Sequence, residues 1–368
     1  MQFIDLQTPY QARKAQMDAA ILRVLAHGQY IGGPEITQLE EALAAYVGVK
    51  YCVAMDSGTM ALQVALMALD IAPGDEIITT PFSFFATAEV IYLLGAKPVY
   101  VDIDPSTYLI DANLLRAAIT QRTKAIIPVS LYGQCADMDV INHIAKQHNI
   151  AVIEDAAQSF GALYKNKKSC ALSRIACASF FPSKPLGCYG DGGACFTDDP
   201  ALADRMRMIM NHGQEARYHH VTIGMNGRMD TLQAAVLLEK LPIFEEEIEK
   251  RQQVARWYQA SLQDFLAPPV IAPNNKSVYA QYTVQVDNRD AVQSALTANG
   301  IPTAVHYPVG LHQQSIVKKL SNESLTFPIT EYAAKHVLSL PFHPYLTRDQ
   351  VQWVAKHLRT CCQTMITA

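Results

Sequence analysis

Seven short apolar runs, most of them separated by stretches with helical spacing, constrain this chain more than any other feature. They fall at residues 51–55, 76–80, 97–102, 124–129, 150–155, 175–181 and 192–197. Each is short enough for a buried strand, and between them lie helical patterns such as 60–69, 136–148 and 201–210. Strands alternating with helices predict a mostly parallel α/β sheet covered by helices. In such sheets ligands gather at the carboxyl ends of the strands, so candidate chemistry is sought there.

Near residue 245 the pattern changes. A long helix rich in Glu and Arg, 244–262, reads as a solvated joint. After it, 281–286 alternates like a half-buried strand, 302–308 is extended, and 291–299 and 348–358 have helical spacing. The expectation is a large α/β domain over 1–245 and a small α+β domain over 246–368. At the other end, residues 11–25 carry Ala15, Ala19, Leu22 and Leu25 at helical spacing. The charge of −4 and the lack of a basic tail argue against nucleic acid as a partner. The 8 cysteines show no CxxC pair and no zinc spacing, so no metal is expected, and they read as reduced thiols. No leader pattern and no bilayer-length apolar run is seen, so no membrane association is expected and a cytoplasmic location is.

The strand ends carry the chemistry. After the first run comes Asp56-Ser57-Gly58-Thr59, then a helix that is apolar nearly all round. A helix start with Gly and Thr suits an anion, and it equally suits an ordinary Ser or Thr cap. After the second run comes Pro81-Phe-Ser-Phe84, whose aromatics could cover a flat ring or belong to the core. The fifth run ends in Glu154-Asp155, followed by Gln158. Neighbours on a strand face opposite ways, so the two carboxylates are not expected to share a metal. The sixth leads into Ser179-Phe-Phe-Pro-Ser-Lys184-Pro-Leu-Gly187. A lysine among prolines, aromatics and glycines is either a rigid structural loop or a partly buried amine. Burial lowers a lysine's pKa and frees it to form a Schiff base with an aldehyde. Two loops, His27-Gly-Gln-Tyr30 with the glycines after it and the long His- and Arg-rich stretch 211–230, read as connectors or as parts of a site.

Taken in order, these segments resemble fold-type I pyridoxal phosphate (PLP) enzymes, specifically the DegT/StrS-type nucleotide-sugar aminotransferases. The resemblance runs from Phe3-Ile-Asp-Leu6 to Pro341-Phe-His-Pro344. It includes Gly32-Gly-Pro-Glu35, Ser57-Gly-Thr-Met-Ala-Leu62, Glu154-Asp-Ala-Ala-Gln-Ser159, Pro182-Ser-Lys-Pro-Leu-Gly187, Gly190-Asp-Gly-Gly193, Gly224-Met-Asn-Gly-Arg-Met-Asp230 and Val305-His-Tyr-Pro308.

The resemblance implies that Lys184 carries the cofactor and moves the proton at the sugar carbon. It implies that Asp155 holds the pyridine nitrogen protonated and that Gln158 bonds the ring's phenolic oxygen. Phe84, where many relatives have Tyr or Trp, would cover the ring. Gly58, Thr59 and Ser179 would bind the phosphate, joined by Asn226 from a neighbouring subunit, which makes a homodimer with shared sites necessary. Arg228, His306 and Tyr307 would contact the sugar nucleotide, with Tyr30 and His220 beside it, and L-glutamate would donate the amine and leave as 2-oxoglutarate.

The stretches around Tyr30, 130–137, 179–193 and 217–220 look most like those of members acting on UDP-2-acetamido-3-oxo-glucuronate. Those members serve surface polysaccharides such as the lipopolysaccharide O-antigen. Amination at C-4, a dTDP-sugar and an inactive regulatory protein of the same fold are the alternatives. A dehydratase of the family would carry His at Lys184, and a nicotinamide dehydrogenase would show an early GxGxxG.

Overall fold

The computed structural model describes residues 1–321 and 324–366. Its central sheet has seven strands: β1 (Tyr51–Met55), β2 (Glu76–Thr79), β3 (Lys97–Tyr100), β4 (Thr123–Ile127), β5 (Ala151–Asp155), β6 (Ile175–Ser179) and β7 (Gly193–Thr197). All seven expected runs are strands, within a few residues at their ends. Their order is β1-β7-β6-β5-β4-β2-β3. β7 runs antiparallel to both neighbours and every other pairing is parallel.

Helices cover both faces. On one, α3 (Gly58–Ala68) buries Ala61, Leu62, Val64, Ala65 and Leu66, together with Ile77, Ile127 and Ile153 of the strands. A buried Val or Leu contributes roughly 1.5–3 kcal/mol. Packed on so many sides, this helix holds its N-terminus at a fixed point against the sheet. On the other face lie α2 (Pro34–Val47), α5 (Met138–Gln147) and α7 (Thr231–Lys240). The apolar all-round reading of α3 holds because both its flanks are covered.

The N-terminal helix differs from its expected face. It spans α1 (Lys14–His27) and buries Met17, Ala20 and Val24, the last two against Ala235 of α7. Leu22, expected on the buried stripe, is 61% exposed, and Leu25, Ala15 and Ala19 are exposed too. The helix has two apolar stripes, and periodicity does not say which one meets its own core.

Beyond the sheet, α8 (Phe244–Leu262) joins two cores. Phe244 and Ile248 pack into the core beneath the sheet, while Val254, Tyr258 and Leu262 belong to a separate cluster. That cluster includes the antiparallel pair β8 (Tyr282–Gln285) and β9 (Val337–Leu340) and the helix α10 (Arg348–Ile366). Among the described residues, no helix is long and apolar enough to cross a membrane.

Candidate active site

The carboxyl ends of β1, β5 and β6 converge with the first turn of α3. Ser57 is the N-cap of α3, its hydroxyl accepting from the Met60 N–H at 3.1 Å. The N–H groups of Gly58 and Thr59 lie in the first turn, where no intrahelical acceptor exists. A Cβ on Gly58 would stand 2.7 Å from the Cβ of Ser179, and one on Gly193 would stand 2.3 Å from the Ser57 carbonyl carbon. Glycine is therefore required where the β1 turn, the end of β6 and the start of β7 meet. The result is a backbone cradle suited to an anion.

Glu154 and Asp155 face opposite ways, as expected. Glu154 is fully buried and accepts from Ser169 Oγ at 2.7 Å, Ser130 Oγ at 3.1 Å and the Cys170 N–H at 2.9 Å. Asp155 accepts from Thr87 Oγ1 at 2.8 Å and from the Ala157 N–H at 3.2 Å. The Thr87 hydroxyl is 3.1 Å from that of Ser83. Burial pushes the Asp155 carboxyl up, while Thr87, Ala157 and the Lys184 charge pull it down. Lys184 is the counterpart: burial pushes its ammonium down, and Asp155 opposes that. The cleft thus pairs an amine inclined to be neutral with a carboxylate held by fixed donors.

Gln158 is clamped at both ends of its amide. Its Oε1 accepts from the Tyr132 N–H at 2.8 Å and its Nε2 donates to Tyr307 Oη at 3.1 Å. Tyr132 adopts a left-handed backbone at φ 56°, and its hydroxyl donates to the His306 carbonyl. His306 Nδ1 lies 2.8 Å from Ser339 Oγ, which lies 2.8 Å from Thr283 Oγ1. Burial and the nearby Lys184 hold the His306 imidazole down at about 4, so it is neutral at physiological pH. Burial raises the Tyr307 phenol. Phe84 is 59% exposed, tilted 6.2 Å from the Tyr307 ring.

One chain thus brings together Lys184, Asp155, Gln158, His306, Tyr307, Phe84 and the Gly58–Ser179 contact. The other expected residues make their described contacts at the end of β1, on a hairpin and at the start of α7. Arg228 bridges Met55, donates to Asn211 Oδ1 at 2.8 Å, and buries its Nε without a partner. Asn226 is exposed beside it, and the Gly227 carbonyl accepts from the Asp56 N–H at 2.9 Å. His220 is exposed on a two-stranded hairpin, its Nδ1 2.8 Å from the His212 carbonyl. The Tyr30 carbonyl accepts from the Thr231 N–H at 2.9 Å while its ring is half exposed. Thr87, Ser83, Tyr132 and Ser339 support the cleft without having been expected. Thr87 and Ser83 have a local signal, within one turn of Phe84 and four residues from each other; Tyr132 and Ser339 are placed by long-range folding.

The model of the DegT/DnrJ/EryC1/StrS aminotransferase family matches residues 11–359. The chain belongs to this family. It is 59% identical, over 97% of this chain and 99% of the other, to the UDP-2-acetamido-2-deoxy-3-oxo-D-glucuronate aminotransferase of Pseudomonas aeruginosa. It is 42% identical, over 96% of each, to a pleiotropic regulatory protein of Geobacillus stearothermophilus. Its fold matches that of NtdA from Bacillus subtilis, solved with bound pyridoxamine phosphate, at a TM-score of 0.89 and 32% identity, over 97% of this chain and 83% of that one. The fold is that of the type I PLP aminotransferases. Pyridoxal phosphate fits the residues present: the cradle at Gly58 and Gly193 admits no Cβ, and half-buried Lys184 follows β6 at the side of buried Asp155 at the end of β5, close enough for each charge to act on the other.

Proposed function

We propose that this aminotransferase converts a UDP-linked 3-keto sugar, UDP-2-acetamido-2-deoxy-3-oxo-glucuronate, to its 3-amino counterpart. L-glutamate donates the amine, and the product serves surface polysaccharide synthesis. One observation carries the chemistry: β5, ending in buried Asp155, pairs with β6, which leads through Ser179 into Lys184, and Ser179 packs on Gly58 of the cradle. The substrate rests on the 59% identity to the Pseudomonas aeruginosa enzyme.

When bound, pyridoxal phosphate carries the amino group between donor and acceptor and takes up the electron pair released at the substrate carbon. The first turn of α3, with Gly58, Thr59 and Ser179, would hold the phosphate. Asp155, kept in place by Thr87, would keep the ring nitrogen protonated. Gln158 would present its amide to the ring, and Phe84 would cover it. Lys184 Nζ would hold the cofactor between turnovers and move the proton at the sugar carbon. Neutral His306, with Tyr307, borders the space for the sugar. In this reading the 1–245 unit supplies the cofactor side and the 246–368 unit closes over the substrate.

Asn226, Arg228, His220 and Tyr30 act in this reading across a homodimer, at the partner's cleft. Exposed apolar residues support that arrangement: Leu22 and Leu25 on α1, Ile31, Phe181, and Tyr218 and Ile223 around the hairpin. Arg228 supplies a cation for the uronate carboxylate. The chain works in the cytoplasm, where nucleotide sugars are at hand.

The test is to incubate the PLP-loaded protein with UDP-linked 3-keto and 4-keto sugars plus glutamate and to locate the new amine by NMR. Amination at C-3 of the uronate is expected. Amination only at C-4 would overturn the substrate, and no turnover of any keto-sugar despite bound cofactor would favour a regulatory role like that named for the Geobacillus stearothermophilus relative.

A further inference from the structure

The loop that carries Lys184 is held from behind by one helix. Inside the loop, the Lys184 N–H donates to the Phe181 carbonyl at 2.8 Å, the Cys188 N–H to the Phe180 carbonyl at 2.8 Å, and the Phe180 N–H to the Gly192 carbonyl at 2.7 Å. These bonds shape the loop, and buried Phe180, Leu186 and Cys188 seat it in the core beneath the sheet. Two side chains of α7 add its polar anchors. Lys240 Nζ donates to the Gly187 carbonyl at 2.5 Å, and Gln233 Oε1 accepts from the Tyr189 N–H at 2.9 Å. They stand seven residues apart, two turns, and so share one face of the helix.

Lys240 is 8% exposed. Burying an ammonium is costly unless it is bonded and offset. The charges of Glu247 on α8 and of Cys188 oppose the downward effect of burial on the Lys240 ammonium, and Arg251 adds to it. Glu247 in turn accepts from Tyr345 Oη at 2.5 Å, and buried Arg251, one turn on, donates to the Tyr279 carbonyl at 3.1 Å. Gly187 leaves no slack in this arrangement, since a Cβ there would stand 2.5 Å from the Pro182 carbonyl oxygen. A methionine would fill the volume of Lys240 without the desolvation cost. Its charge therefore needs a reason beyond packing.

We propose that Lys240 is a positioning residue for Lys184: by holding the Gly187 carbonyl it sets where the Lys184 amine stands in the cleft, with Gln233 as the second anchor. The proposal rests on the role of Lys184 in transamination, which supplies its activity arm alone. Lys184 is three residues from Gly187 on a loop closed at both ends, so release of that carbonyl shifts the amine.

The experiment compares Lys240→Met and Lys240→Arg with the unmodified protein. In cofactor-free protein, hydrogen exchange should rise at least about tenfold in the peptides covering 180–190 of Lys240→Met, and little elsewhere. In the PLP-loaded protein, kcat should fall on the order of 10–100-fold with KM for donor and acceptor within about twofold, as for a misplaced reacting group. The pH midpoint of the bound cofactor's absorbance should shift, and Lys240→Arg should recover most of each effect. Unchanged exchange in 180–190, or exchange rising evenly over the chain in step with a lowered melting temperature, would overturn the proposal. If the unmodified protein itself turns over no keto-sugar, the functional reading fails while the exchange arm still decides the staple.

Discussion

The cleft around Lys184 and the hairpin around His220 are built in opposite ways. In the cleft, polar groups are buried and cross-linked. Asp155 has Thr87 and Ala157, Gln158 has Tyr132 and Tyr307, and His306 has Ser339. The hairpin turns large side chains outward, with Tyr218 80% and Ile223 83% exposed. The cleft's polar groups find these partners within one chain, whereas Tyr218 and Ile223 of the hairpin stand uncovered among the described residues. The difference separates side chains whose partners lie in their own chain from side chains that in the proposed dimer would meet a second one.

The most severe way to break this contrast is to remove the amine. Lys184→Ala should lower transamination by at least about 10³-fold, with circular dichroism and melting temperature nearly unchanged. Retained full activity would remove Lys184 from the chemistry and the cleft from its place as the centre. A smaller effect is expected on the hairpin side. Tyr218→Ser with Ile223→Ser should raise the dimer dissociation constant at least about tenfold, since each buried large apolar side chain contributes roughly 1.5–3 kcal/mol. Sedimentation would show this, and activity should return at high protein concentration. A fully active monomer would sink the shared-site reading.

The smallest effect concerns pH. His306 is held at about 4 against an ordinary 6.5. Below 6.5 the unfolded chain takes up a proton that the folded chain refuses, so stability falls as pH drops from about 6.5 to 4. His306→Asn should flatten the melting-temperature profile in that window, and an unchanged profile would show that the imidazole is not held neutral.

Much of this was legible in the chain. The seven strands announced themselves because each is a short apolar run between turn signals, and strand parity alone separated Glu154 from Asp155. The Ser57-Gly-Thr turn and Lys184 stood out by their neighbours. Other features were hidden because their partners are far away in sequence. Nothing near Lys240 points to Gly187, 53 residues earlier. Tyr132 gives no local sign that it will face Gln158 and His306. The buried stripe of α1 depended on which of two apolar faces meets α7, and that is decided by packing.

The antiparallel strand β7 of the central sheet has a consequence for the making of the protein. It lies between β1 and β6, and its partners in β1 are about 140 residues upstream. During synthesis β1 emerges early and waits with an open edge, the kind of surface on which chains mispair. The contacts that shape the cradle, Gly58 on Ser179 and Gly193 on Ser57, close only when β7 slots in. The cradle proposed for the phosphate is therefore a late product of assembly, unfinished in a nascent chain that has not reached residue 197.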